Sequence, residues 1–179
     1  MRVFKKVLVA NRGEIATRII RACHELNVKA VAVYPKEDEF SAHRQSADEA
    51  YLIGEGQAPI DDYLNIDEII RVAKASGAEA IHPGYGFLAE NADLAQACED
   101  NGIKFIGPKP EHLRMFGDKW TAKQVAIDAG LQPIPGLVGD IDEVEQVRDF
   151  AHQHGYPIMI KAAMVVVVVG CGLSMTTKN

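Results

Sequence analysis

Two lysines stand where an anion would be held. In PIMIKAA (157–163), Lys161 interrupts an apolar, strand-like run. A lysine buried in a strand costs on the order of several kcal/mol unless an anionic partner meets it. In MFGDKWTAK (115–123), Lys119 follows a glycine and an aspartate at a helix entrance, with Asp118 placed to cap. Lysine beside helix-terminal N–H groups suits a phosphate, although most lysines so placed are merely solvated. A third stretch, IHPGYGFLAEN (81–91), has Pro83, Gly84 and Gly86 for tight turning and would bring Tyr85 and Glu90 to the rim of a sheet. From spacing alone, a structural turn with a packed tyrosine and a ligand site are equal readings of it. His82 has no second His, Cys or carboxylate at metal-ligand spacing beside it, so it reads as a hydrogen-bonded structural histidine. VLVANRGEIATR (7–18) is a strand–turn–helix in the place of a dinucleotide fingerprint, but Gly13 stands alone where G-x-G-x-x-G needs three glycines. Asn11 and Gly13 therefore shape the turn, with Arg12 and Glu14 as local salt-bridge or surface residues.

These residues need elements to hold them. Short β-branched runs read as strands at 6–10, 28–34, 50–54, 79–84, 103–107 and 156–162, with helical patterns between them. In GEIATRIIRACHELN the apolar Ile15, Ile19, Ala22, Cys23 and Leu26 recur every three or four residues, with Arg18, Arg21 and Glu25 on the opposite face. Asn65 with Glu68 forms a variant capping box before IDEIIRVAKASG, and Gly77 stops that helix. Further helices are expected in AENADLAQACEDNG and at 142–154. Strands alternating with helices predict an α/β fold: a doubly wound parallel sheet with ligand sites at the carboxyl ends of its strands.

Composition narrows the function classes. The chain has 179 residues, 47% of them apolar and 25% charged, with a net charge of −6. An acidic chain without clustered Lys and Arg has no footprint for nucleic acid. The first apolar segment carries Lys5 and Lys6 and is too short for a signal peptide core or a membrane span, so no membrane partner is expected. Cys23, Cys98 and Cys171 are far apart and lack C-x-x-C spacing, which makes a reduced cytoplasmic setting the default. Prolines at 108 and 110, then LQPIPG (131–136), punctuate the chain. They predict a complete sheet domain at 1–108, a helical connector at 109–134 and the incomplete start of a second lobe at 135–163.

The series VLVANRGEIATRIIRAC, ADEAYLIGEG, YLNIDEII, AIHPGYGFLAEN, FIGP, MFGDK and YPIMIKAA, in this order and spacing, resembles the amino-terminal part of the biotin carboxylase component of biotin-dependent carboxylases. GEGQAPIDDYLNI and HLRMFGDK place the resemblance nearer the pyruvate-carboxylating branch than the acetyl-CoA-carboxylating one. The likeness covers about residues 3–163. It implies a Rossmann-like pre-ATP-grasp domain followed by the truncated start of an ATP-grasp domain. The family's whole component uses MgATP and bicarbonate to make carboxyphosphate, then carboxylates biotin on a carrier domain. By resemblance, Lys119 and Lys161 contact the nucleotide, and Tyr85 and Glu90 border the carboxylation site, which would give Lys161 its anionic partner from outside. Two other classes stay open. One is an unrelated nucleotide-binding Rossmann-like module. The other is a non-catalytic assembly domain using the Arg18, Arg21 and Glu25 face, and a homo-oligomer is compatible with either.

After KAA and one variable residue, the family has a run of the form GGGGRGM that folds over ATP phosphates. Here the chain reads MVVVVVGCGLSMTTKN (164–179). Permitted codons for that stretch, read with a two-base offset, encode Gly-Gly-Gly-Gly-Arg-Gly-Met. Residues 164–179 therefore read as a frameshifted tail, and sequencing the coding DNA tests this. Without the covering loop and the downstream acidic residues, the isolated chain is expected not to turn over ATP. The pentavaline run is also β-prone and low in charge, a candidate for pairing with a second copy.

Overall fold

The structure is a computed structural model and describes residues 4–54, 59–137 and 143–158. The chain divides into two compact units, Met1–Leu113 and Arg114–Asn179.

The first unit is built on β1 (Lys6–Val9), β2 (Lys29–Tyr34), β3 (Glu49–Leu52), β4 (Ala80–His82) and β5 (Lys104–Phe105). They form one five-stranded sheet in the order β3-β2-β1-β4-β5, and every pairing is parallel. This is the doubly wound order, and its switch point lies between β1 and β4. Helices α1 (Gly13–Glu25), α2 (Ala42–Ser46), α3 (Pro59–Leu64), α4 (Ile66–Ser76) and α5 (Ala92–Asp100) supply the crossovers.

Alternation along the strands sorts the core into two layers. Val7, Val9, Ala30, Ala32 and Ala80 face one side and pack with Ala16, Ile19, Ile20 and Cys23 of α1. The alanines leave room for the helix to approach the sheet closely. Leu8, Val31, Val33 and Ile81 face the other side, where α4 adds Ile69 and Val72 and α5 adds Leu94 and Cys98. Each fully buried aliphatic side chain contributes roughly 1.5–3 kcal/mol of transfer free energy, so this alternation fixes which strand face meets which helix.

Local signals account for the helix ends. Asn65 Oδ1 accepts from the Glu68 N–H at 3.1 Å, and Gly77 ends α4 with φ of 70°. Lys6 Nζ donates to Glu49 Oε1 and to the Ser76 carbonyl, each at 2.6 Å, tying the amino end of β1 to β3 and α4.

Pro110 opens α6 (Pro110–Gly117), which begins in the first unit and ends in the second, at the first helical position, where its missing N–H is tolerated. Asp118 caps α7 (Lys119–Asp128) by accepting from the Thr121 N–H at 2.7 Å. The helix expected at 142–154 is α8 (Val144–His154). Residues 156–158 of the expected sixth strand are not in a strand. The rest of that run, Lys161 and the 164–179 tail with its valines lie outside the described residues. Among the described residues, no helix is long and apolar enough to cross a membrane.

Candidate functional site

The carboxyl ends of β1 and β4 flank the crevice where open α/β sheets take ligands. Here Asn11 spans it. This side chain follows β1, is 2% exposed, and donates through Nδ2 to the Pro83 carbonyl at 2.7 Å and the Tyr85 carbonyl at 2.9 Å. Its Oδ1 accepts from the Arg12 N–H at 2.8 Å, so all three bonds of the amide close the turn from within. Gly84 lies so near that a Cβ there would come within 2.8 Å of Asn11 Nδ2, and its φ of 68° is one that L side chains rarely adopt.

The loop after β4 is held at several points. His82 Nδ1 accepts from the Gly84 N–H at 3.0 Å, the structural role the sequence predicts, and burial pushes its imidazole below the usual range. Tyr85 is exposed, and its hydroxyl donates to Glu14 Oε1 on the first turn of α1. That bond raises the Tyr85 phenol above its ordinary value, because the carboxylate favours the protonated form. Leu88 is buried, and Asn91 ends the loop by capping α5, accepting from the Asp93 and Leu94 N–H groups at 2.9 Å each. Phe87 stacks on Tyr63 of α3 with centroids 5.3 Å apart.

Behind that ring lies a polar cluster. Arg12 donates to Asp38 through Nε and Nη2, both at 2.6 Å, and the Tyr63 hydroxyl donates to Asp38 Oδ2 at 2.8 Å. The guanidinium bonds hold the Asp38 carboxyl below its usual range, against the opposing effect of burial, and Asp38 in turn raises Arg12. Burial, then the Asp38 bond, push the Tyr63 phenol up. His43 is fully buried 3.4 Å from the Tyr63 hydroxyl and 3.3 Å from the Val33 carbonyl, and burial lowers its affinity for a proton. This cluster links the β1 and β2 turns to α3, and through Phe87 to the loop.

Tyr85 and Glu90 thus sit exposed on one loop at the carboxyl edge of the sheet. Lys119 is the exposed first residue of α7 in the other unit. Among the described residues, no group of three or more His, Cys, Asp or Glu could hold a metal ion. Sequence reasoning read Arg12 and Glu14 as local or surface residues; their partners lie 26 and 71 positions away. It missed Asp38, Tyr63 and His43 altogether. An asparagine standing in place of the first fingerprint glycine was the signal that this turn closes instead of opening.

Residues 3–113 match the family model described as biotin carboxylase, N-terminal domain. The chain belongs to the biotin carboxylase family. In this biotin carboxylase chain, residues 118–179 match the model described as carbamoyl-phosphate synthase L chain, ATP binding domain, so the parallel sheet is followed by a partial ATP-grasp domain. It is 59% identical over 160 residues to the pyruvate carboxylase of Bacillus subtilis, covering 89% of this chain and 14% of that protein. To the mitochondrial pyruvate carboxylase of Rattus norvegicus it is 55% identical over 159 residues, again 89% of this chain and 14% of the relative. The chain therefore spans about a seventh, 14%, of these relatives' length. Among solved structures, the biotin carboxylase domain dimer of Hydrogenobacter thermophilus 2-oxoglutarate carboxylase, in complex with MgADP, ADP and bicarbonate, superimposes with a TM-score of 0.82 at 49% identity. That match covers 91% of this chain and 36% of the other. The complete multifunctional pyruvate carboxylase from Rhizobium etli gives a TM-score of 0.72 at 49% identity, covering 76% of this chain and 13% of that one.

Proposed function

We propose that this chain is the amino-terminal part of the biotin carboxylase component of a pyruvate carboxylase. In this reading the whole component uses MgATP and bicarbonate to form carboxyphosphate and passes the carboxyl group to biotin on a carrier domain. Pyruvate is the final acceptor. The observation that carries the reading is the closed switch point: Asn11 spans the crevice that a dinucleotide would need, while the turn it pins presents Tyr85 and Glu90 outward. The first unit is then a scaffold for a loop, and the nucleotide is handled by other residues. A Rossmann-like nucleotide module would require the opposite arrangement at that turn.

Tyr85 and Glu90 border the carboxylation site in this reading, and Lys119 and Lys161 serve the nucleotide. Phosphoryl transfer is mostly positioning and charge neutralisation, for which lysine ammonium groups are suited. The magnesium that accompanies ATP finds no fitting group among the described residues. The match takes in 36% of the Hydrogenobacter biotin carboxylase chain, so we expect these residues alone to show no bicarbonate-dependent ATPase. Self-association is part of the proposal, supported by that neighbour being a dimer. So is a reducing compartment such as the cytoplasm, supported by the buried, free Cys23 and Cys98; the rat relative is mitochondrial by name.

Calorimetric titration with MgATP tests the nucleotide assignment. Binding that Lys119→Ala and Lys161→Ala each weaken by about tenfold, roughly 1.4 kcal/mol, supports it. Affinity unchanged by both substitutions overturns it.

A further inference from the structure

We propose that Asn11, on the turn between β1 and α1, and Glu14, in the first turn of α1, are positioning residues for Tyr85, Asn11 fixing its backbone and Glu14 its phenol. The inference rests on the reading of the loop after β4 as the rim of the carboxylation site.

The need for positioning follows from the loop's own chemistry. Tyr85 lies between Gly84 and Gly86, with φ of 68° and 65°, the two most permissive residues in the segment. The residue is 60% exposed, so packing does not select one rotamer. Left alone, such a residue samples many conformations, and ordering its backbone costs about 1–2 kcal/mol.

Asn11 supplies the backbone restraint. One buried NH2 group holds the carbonyls on both sides of Gly84, at Pro83 and Tyr85, and fixes the direction of the chain there. The orientation of the amide is decided by its partners: two carbonyl oxygens can be met only by NH2, and the Arg12 N–H only by Oδ1. Aspartate at this position, equal in size, would set a carboxylate oxygen against two carbonyl oxygens. Glu14 supplies the side-chain restraint. Its carboxylate accepts from the phenol, which favours the protonated hydroxyl and leaves the Tyr85 oxygen with acceptor capacity of its own. Both restraints come from residues three positions apart where β1 leads into α1, so any motion of that junction moves Tyr85 with it.

The test uses the whole 179-residue chain carrying 13Cζ-labelled tyrosine, with Tyr85→Phe to assign the signal. Glu14→Gln is expected to lower the Tyr85 titration midpoint toward the ordinary tyrosine value near 10 without moving the other tyrosines. Asn11→Asp is expected to speed amide exchange at residues 84–86 about tenfold or more while circular dichroism stays native. If Asn11→Asp does not fold, Gly84→Ala strains the same contact and is expected to produce the same acceleration. A Tyr85 midpoint unmoved by Glu14→Gln overturns the proposal, as does loop exchange unmoved in a folded Asn11 or Gly84 variant. Free biotin added to the native chain separates the two readings. If the variants behave as expected and biotin leaves the Tyr85 signal unshifted, the positioning stands and the carboxylation-site reading fails.

Discussion

Arg12 and Asp38 meet through two parallel N–H···O bonds of 2.6 Å, Nε to Oδ2 and Nη2 to Oδ1. The Asp38 side chain is 10% exposed and that of Arg12 is 51% exposed, so the carboxylate has given up most of its water and the guanidinium has not. Asp38→Ala would leave the Tyr63 hydroxyl without its acceptor and Arg12 without its partner. Breaking a fully buried pair costs about 3–5 kcal/mol, and the half-solvated guanidinium lowers this to about 2–3 kcal/mol. Urea unfolding checks the value, and a loss below about 0.5 kcal/mol would show that the pair is solvated in solution.

Tyr63→Phe separates the hydroxyl from the ring. The phenylalanine keeps the stack on Phe87 and leaves the Arg12 bonds to Asp38 in place, so the expected loss is about 1 kcal/mol, that of one hydrogen bond. Tyr63→Ala removes the fully buried ring and should cost about 3–5 kcal/mol. Equal losses for the two variants would contradict the packing role of the ring.

Acid should weaken the fold in two stages. His43 has a lowered pKa because of burial, with Asp38 opposing that effect and Arg12 reinforcing it. The unfolded chain therefore takes up a proton first, near pH 6.5, and stability declines as pH falls from there toward the folded value. Asp38 is lowered chiefly by Arg12, so its contribution is whole above the unfolded value near 3.9 and is lost as pH falls through its folded value. Unfolding free energies measured between about pH 7 and 5 should slope downward in the native chain and less so in His43→Gln. Identical slopes would remove His43 as the source.

The helix caps differ in the number of donors they satisfy. Asn91 accepts from two N–H groups and Asn65 from one. Asn91→Ala should cost about 1–2 kcal/mol and Asn65→Ala about 0.5–1 kcal/mol, with thermal melting giving the order. The reverse order would mean that the second bond to Asn91 contributes nothing.

Much of the first unit was legible because its signals are local. Alternation gave β1, β2 and β4 their faces, the Asn65 and Gly77 punctuation bounded α4, and Asp118 declared itself as a cap. Helix α3 was not read, since Pro59, Asp61 and Asp62 resemble turn residues and Tyr63 is its only buried side chain. The site was legible in part. Tyr85 and Glu90 are exposed on the expected loop, but nothing near Arg12 in the chain announces Asp38, and nothing near Asn11 announces Pro83, 72 positions on. Those pairings exist only because parallel crossovers return distant turns to the same edge of the sheet.

Cys23 lies in the layer under α1, and Cys98 lies in the opposite layer under α5. Burial raises both thiols, Cys98 to about 12, so neither is a ready nucleophile in the closed fold. The sheet between them makes each a separate chemical clock. Alkylation of Cys23 times the lifting of α1, and alkylation of Cys98 times the lifting of α5. Mass spectrometry of partly labelled chains would therefore read whether the two faces of the sheet open together or one at a time.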